Sequence, residues 1–297
     1  MSATEHLLLD PGWRDGVRSV NGVDLHVVEA GDEGDPVLLL LHGFPEFWWG
    51  WRHQITALAD AGHHVVVPDL RGYNTSSAPQ QVDAYRLDVL AADVLALADA
   101  YGADRVDVVG HDWGAVIGWE FAARHPERLH RLVVLDGPHP DTMLRQVLAH
   151  PTQGLRSAYA GLFQLPRLPE VALRAFGFAS LRAAMQRSAR PGTFEPGALD
   201  RYAAAWSRPG SLTAMLNYYR ALRSRRPGSS PSRVTRPTLI LWGEHDDFLE
   251  GHVARASLER CDDGRLVVIE DAGHWLHLEQ PDLVTTEILL FLARTDD

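Results

Sequence analysis

The stretch Val108-Val109-Gly110-His111-Asp112-Trp113-Gly114-Ala115 decides how the rest of the chain is read. An apolar run stops at a glycine and a helical pattern begins three residues later, so the segment reads as strand, sharp turn and helix. A turn this tight needs small residues on both sides of its apex. Gly110 and Gly114 bracket Asp112 as glycines bracket the serine of a G-x-S-x-G turn. A carboxylate at such an apex gains nothing by attacking an ester, because it would only exchange one acyl oxygen for another. It can instead displace a leaving group at a saturated carbon and form an alkyl ester of the protein. The competing reading is a turn in which Asp112 merely caps the next helix.

Outward from this turn, strand and helix patterns alternate. Residues 17–20 and 24–30, joined by Asn21-Gly22, predict an antiparallel hairpin, since that pair supplies the positive φ such a turn demands. Residues 37–41 form an unbroken apolar run, as expected of a strand buried on both faces. A helix over 49–61 closed by Gly62, a strand over 64–68, a long helix over 82–101, a strand over 105–109, a helix over 113–125 and a strand over 130–135 follow. The alternation predicts a mostly parallel sheet covered on both sides. It stops at Asp136-Gly137-Pro138-His139-Pro140, after which only helical patterns occur, at 144–149, 168–184 and 199–205. Residues 223–232, rich in Arg, Ser, Pro and Gly, read as the linker back into the sheet, completed by a strand at 238–242, a helix near 251–260, a strand at 266–269 and a helix over 281–292. The domain organisation expected is therefore an α/β core in two parts, 1–140 and 231–297, interrupted by an all-helical lid over 141–230.

A chain of 297 residues with 45% hydrophobic content can bury a substantial core. Its 39 acidic against 28 basic residues, a formal charge of −11, leave no overall electrostatic footprint for nucleic acid or an anionic membrane. The single Cys261 excludes an internal disulfide framework, and Met1-Ser2-Ala3-Thr4-Glu5-His6 lacks the basic start and long apolar run of a signal peptide, so a cytoplasmic protein is expected.

In a parallel sheet the functional loops leave the carboxyl ends of the strands and gather on one edge. Four loops then matter: His42-Gly43-Phe44-Pro45, the turn at Asp112, Gly243-Glu244-His245-Asp246, and Asp271-Ala272-Gly273-His274-Trp275. Nucleophile, acid and histidine come in the chain order Asp112, Asp246, His274, with His274 as base and Asp246 fixing its tautomer. Asp246 or Asp247 could instead cap a helix, and Asp136, also after a strand, is a rival orienting acid. A metal set of His42, His111 and His274 lacks any paired ligand motif on one helix, so no metal is expected.

At these residues the sequence resembles the α/β-hydrolase superfamily, and within it the epoxide hydrolases that use an aspartate nucleophile. The resemblance covers essentially the whole chain. His42-Gly43-Phe44-Pro45-Glu46 resembles their H-G-x-P loop, Asp69-Leu70-Arg71-Gly72-Tyr73 their D-x-R-G-Y turn, Gly110-His111-Asp112-Trp113-Gly114 their elbow, and Gly273-His274-Trp275 fits too. Asn74 departs from the commoner glycine, but asparagine also tolerates left-handed backbone. The resemblance implies an oxyanion hole from the amides of Phe44 and Trp113, acid Asp246, base His274, and two lid tyrosines that protonate the epoxide oxygen. It identifies these as Tyr159, four residues before Phe163, and Tyr219 in Leu216-Asn217-Tyr218-Tyr219-Arg220, with Tyr218 facing elsewhere. It also places His42, Pro45, His111, Phe163 and Trp275 around the substrate pocket.

A dehalogenase is the alternative, because it would use the same Asp112. Fluoroacetate dehalogenases carry arginine where Trp113 stands. Haloalkane dehalogenases would have a polar halide ligand at Phe44. A non-catalytic descendant of the fold would show a broken catalytic set, and none is broken here. The expectation is an epoxide hydrolase without metal or organic cofactor, acting on a small hydrophobic epoxide, with no nucleic-acid or membrane partner. Which epoxide, and whether the chain pairs as a homodimer, is not legible in the sequence.

Overall fold

The computed structural model describes residues 8–224 and 233–294. The strands are β1 (Arg14–Val20), β2 (Val23–Ala30), β3 (Val37–Leu41), β4 (His64–Pro68), β5 (Val106–His111), β6 (Leu129–Leu135), β7 (Thr238–Gly243) and β8 (Gly264–Ile269). They form one sheet in the order β1-β2-β4-β3-β5-β6-β7-β8. β2 is antiparallel to β1 and β4, and every other neighbouring pair is parallel. The β1–β2 hairpin turns at Asn21 and Gly22, with φ of 45° and 75°, and pairs Val20 with Val23. Leu38 to Leu41 have no exposure at all, because helices cover both faces of β3.

The helices of the core are α1 (Ile55–Asp60), α2 (Leu87–Ala100) and α3 (Trp113–Arg124). Between β6 and β7 run α4 (Pro140–Ala149), α5 (Pro151–Arg156), α6 (Ala158–Leu162), α7 (Leu168–Ser188), α8 (Ala198–Trp206) and α9 (Ser211–Ala221), with no strand of the sheet among the described residues. The chain then continues with α10 (Gly251–Leu258), α11 (Leu276–Glu279) and α12 (Pro281–Leu292).

Three helices differ from their sequence expectation. The one expected over 49–61 is a 3₁₀ turn, Trp48–Trp51, followed by the short α1. All four turn residues are buried, which a one-faced helix cannot achieve, and Gly50 leaves room for Glu46, whose Oε1 would lie 2.6 Å from a Cβ there. The helix expected over 82–101 breaks at the extended Arg86 (ψ 146°), since Tyr85 is drawn inward and its hydroxyl donates to Pro79 O at 2.7 Å. The helix α7 breaks at Ala175–Phe178, where Phe176, Gly177 and Phe178 all have positive φ. The first six residues and nearly all of the 223–232 linker lie outside the described residues.

Asn74 has a φ of 45° and donates to Asp69 Oδ2 at 2.8 Å, so it fills the glycine-like position with its own side-chain anchor. Arg71 closes the same turn on Asp93, its Nε 2.8 Å from Oδ2. Among the described residues no helix is long and apolar enough to cross a membrane.

The elbow depends on glycine in a checkable way. A Cβ at Gly114 would lie 2.1 Å from the backbone oxygen of Leu41, whereas one at Gly161 meets nothing within 4 Å. Gly114→Ala should cost roughly 3 kcal/mol or leave no folded protein. Gly161→Ala, inside α6, should raise the unfolding midpoint by the equivalent of about 0.5–1 kcal/mol. Thermal melts of both variants decide it, and equal midpoints would contradict the packing described.

Candidate active site

Asp112 stands between β5 and α3 with φ 49° and ψ −113°, a conformation that a non-glycine residue adopts only under constraint. The constraint is the loop after β3, which passes so close that a Cβ on Gly43 would lie 2.5 Å from the Cβ of Asp112. The next residue, Phe44, precedes the cis Phe44–Pro45 bond and donates its amide to Asp112 Oδ1 at 2.7 Å. The amide of Trp113 also bonds the carboxylate. Burial pushes the Asp112 carboxyl above its ordinary range, although His274, His111 and these two amides pull the other way.

His274 follows β8 and reaches the elbow from the other side. Its Nδ1 is 2.8 Å from Asp246 Oδ2, and its Nε2 is 3.9 Å from Asp112 Oδ2. Asp246 is itself fixed, since Oδ1 accepts the amides of Phe248 at 2.6 Å and Leu249 at 2.9 Å. Its neighbour Asp247 is exposed. Burial alone would lower the His274 pKa, but Asp246 and then Asp112 outweigh it and raise it to about 9. Asp136 lies in the same corner, wholly buried, with Oδ1 accepting from Gly243 N at 2.9 Å.

The tyrosines meet above Asp112. Tyr219 on α9 and Tyr159 on α6 have ring centroids 5.9 Å apart, edge to face. Phe163 touches both, at 5.5 Å from Tyr159 and 5.1 Å from Tyr219, while Phe44 and Trp113 lie edge-on to Tyr219. Gln164 Nε2 donates to Tyr219 O at 2.9 Å and ties the two helices together. Burial, with the charge of Asp112 adding to it, pushes both hydroxyls up, so both stay protonated at neutral pH. Tyr218 faces away and donates to Arg71 O at 2.7 Å.

Two pocket expectations need correction. His42 and His111 have no exposure, and both nitrogens of each are spent on the protein. His42 Nδ1 faces Gly43 O while Nε2 accepts the amide of Leu70 at 3.0 Å. His111 bridges Glu46 Oε2 and His274 O, each at 2.8 Å. These rings hold the loops and present nothing to a ligand. Pro45 accepts from Trp206 Nε1 of α8, and Trp275 packs behind His274 with its indole on Ser188 Oγ at 3.0 Å.

Sequence reasoning missed Glu46. It is wholly buried and accepts from His111, from His277 Nε2 at 3.2 Å and from Tyr202 of α8 at 3.3 Å; burial opposes its ionisation, but His277 and His111 hold its pKa well below the usual range. A lone acid in Phe44-Pro45-Glu46-Phe47-Trp48-Trp49, surrounded by aromatics, was the available signal, since such a charge needs buried partners. Sequence reasoning also missed α5. There Gln153 donates to Phe248 O at 2.9 Å and accepts Glu250 N at 2.9 Å, and Arg156 donates to Asp246 O at 2.5 Å.

Comparison with known proteins identifies the fold and the family. A family model for the alpha/beta hydrolase fold matches residues 36–281. The chain is 42% identical to the AB hydrolase superfamily protein YfhM of Bacillus subtilis (strain 168), over 94% of its own length and 99% of that protein. It is 39% identical to Epoxide hydrolase 4 of Mus musculus, over 92% of this chain and 77% of the relative. The crystal structure of Bacillus megaterium epoxide hydrolase in complex with an inhibitor superposes with a TM-score of 0.85 at 31% identity, covering 94% of this chain and 100% of that one. The chain belongs to the epoxide hydrolase family of the α/β-hydrolase fold. The loops that carry Asp112, Asp246 and His274 all leave the carboxyl ends of parallel strands, β5, β7 and β8.

The charged histidine makes stability depend on pH in a definite direction. A folded-state pKa of about 9 against 6.5 unfolded means that its contribution is full below pH 6.5 and disappears as the pH rises through 9. Urea unfolding should therefore show the wild type losing on the order of 2–3 kcal/mol over that window relative to His274→Gln. Parallel stability curves for the two proteins would remove the ion pair from the description.

Proposed function

We propose that this epoxide hydrolase family member opens an epoxide to a vicinal diol through an alkyl ester on Asp112, beneath a helical lid expected over residues 141–230, of which 225–230 lie outside the described residues. The observation that best supports it is the posture of the Asp112 carboxylate. Oδ1 already sits on the amide of Phe44 at 2.7 Å, which leaves Oδ2, 3.9 Å from His274 Nε2, as the attacking oxygen. Oδ2 bonds to a ring carbon, the ring C–O bond breaks, and its electron pair takes a proton from Tyr159 or Tyr219. Asp112 becomes a neutral ester whose carbonyl oxygen is Oδ1. Alkylation thus removes one of the two charges that hold the proton on His274; that proton passes to the tyrosinate left by ring opening, and the neutral imidazole is free to act as a base. Held in one tautomer by Asp246, it takes a proton from water, and the hydroxide adds to the ester carbon. Charge develops on Oδ1, where the amides of Phe44 and Trp113 stabilise it. The diol leaves with the proton from His274, and the carboxyl proton of Asp112 then returns to His274, which restores both groups.

The names of relatives such as Epoxide hydrolase 4 support the substrate class. The aromatic surround of Phe44, Trp113, Phe163 and Phe248 suits a small hydrophobic substrate. The unpaired Cys261 suits the reducing cytoplasm.

Two measurements test the proposal. In His274→Gln the ester should form and persist, so mass spectrometry of substrate-treated protein should find one substrate mass added on the peptide carrying Asp112. No adduct despite substrate consumption would defeat covalent catalysis. Tyr159→Phe and Tyr219→Phe should each slow ester formation by roughly tenfold to a hundredfold, with the double variant close to inactive. A double variant that opens epoxides at wild-type rate, or a wild type that releases halide from haloalkanes faster than it makes diol, would favour a dehalogenase.

A further inference from the structure

Behind the site, carboxylate oxygens of Asp136 and Asp246 and a ring nitrogen of His274 all lie within 4.8 Å of one another, and all three residues are buried. Asp246 spends both its oxygens, Oδ1 on the amides of Phe248 and Leu249 and Oδ2 on His274. Asp136 spends only one. Its Oδ2 is buried with no hydrogen-bond partner among the described residues. An unsatisfied buried oxygen of this kind costs roughly 1–3 kcal/mol. Asp136 is also held there by a φ of 39°, a conformation that costs a non-glycine residue more again. Features that carry such costs persist where a site uses them. Two ionised carboxylates this close in a buried corner repel each other, so one of the pair keeps a proton. Burial and then the charge of Asp246 push the Asp136 carboxyl well above its ordinary range, which makes Asp136 the protonated member.

We propose that Asp136 is a positioning residue, the neutral half of a carboxyl pair that keeps a single negative charge on the Nδ1 side of His274, and the half that accepts His274 Nδ1–H when Asp246 is lost. Removing Asp246 removes the repulsion that kept Asp136 protonated. The proton passes to solvent, and the ionised carboxylate, one oxygen of which already lies within 4.8 Å of a ring nitrogen of His274, becomes the acceptor. The kinetic consequence rests on the covalent reading above, whereas the change of hydrogen-bond partner does not.

The experiment compares wild type, Asp136→Asn, Asp246→Ala and the double variant by two readouts. The first is the low-field proton resonance of His274 Nδ1–H, assigned by its loss in His274→Gln. It should persist, shifted, in Asp246→Ala and vanish in Asp246→Ala/Asp136→Asn. The second is single-turnover kinetics with styrene oxide, separating ester formation from ester hydrolysis. Asp136→Asn alone should slow hydrolysis about threefold, and Asp246→Ala by roughly a hundredfold. Adding Asp136→Asn to Asp246→Ala should cost a further factor of roughly a hundred, with ester formation altered far less. The inference is overturned if the resonance is already absent in Asp246→Ala, or if Asp136→Asn costs the Asp246 variant no more than it costs the wild type. Should Asp246→Ala not fold, for want of the cap on Phe248 and Leu249, Asp246→Asn with and without Asp136→Asn makes the same comparison. A persisting resonance in a protein that opens no epoxide would uphold the carboxyl pair and reject the catalytic reading.

Discussion

The backbone contact between α3 and β3 is the constraint on which the remainder of the site depends. Gly114 has no room for a Cβ because the carbonyl of Leu41 lies in its place, and Gly110 is pressed as closely against Gly114. Helix and strand can approach this far only with glycine on both sides of the turn, and the residue between them is driven to positive φ. The strain sits on the residue proposed as nucleophile. It also brings Asp112 to the mouth of the loop after β3, where the Phe44 amide is waiting, so the elbow and the anion-binding amides follow from one packing event.

Charge is arranged around that carboxylate with equal economy. His274 lies between two acids, and burial, which by itself would neutralise it, loses to their combined field. On the far side of His111, Glu46 gathers hydrogen bonds from three elements and so ties the loop after β3, the elbow and the segment after His274 together. His111 touches both systems through its two nitrogens. An ionised carboxylate with no solvent requires such partners, and their directions in turn fix the loops that supply them.

How much of this the sequence discloses depends on the range over which each cause acts. The hairpin at Asn21-Gly22, the apolar strands and the elbow have causes within a few residues, and each is legible as turn chemistry or as a run of leucine and valine. The chain order of Asp112, Asp246 and His274 is legible because a parallel sheet sends its loops to one edge. Arg86 gives no local sign of a helix break, since the cause is a hydrogen bond from Tyr85 to Pro79 formed only on folding. The 3₁₀ turn at Trp48–Trp51 answers to Glu46, and Glu46 answers to His111, Tyr202 and His277, distances along the chain that no periodic pattern spans. His42 and His111 look like ligands in the sequence for a similar reason: apart from Gly43 O, what uses up their nitrogens lies in loops far along the chain.

The helices between β6 and β7 are fastened to the loops of the core at named atoms. Gln153 and Arg156 of α5 hold the backbone around Asp246, while Tyr202 and Trp206 of α8 hold Glu46 and Pro45. In evolutionary terms this insertion is therefore no interchangeable module. A chimera that grafted foreign helices at the sheet boundaries would keep Asp112, Asp246 and His274 in order and still lose the groups that hold their loops. Descent could diversify the aromatic walls freely only while conserving those four anchors, so the effective joint between the two parts runs through hydrogen bonds and not through any position along the chain.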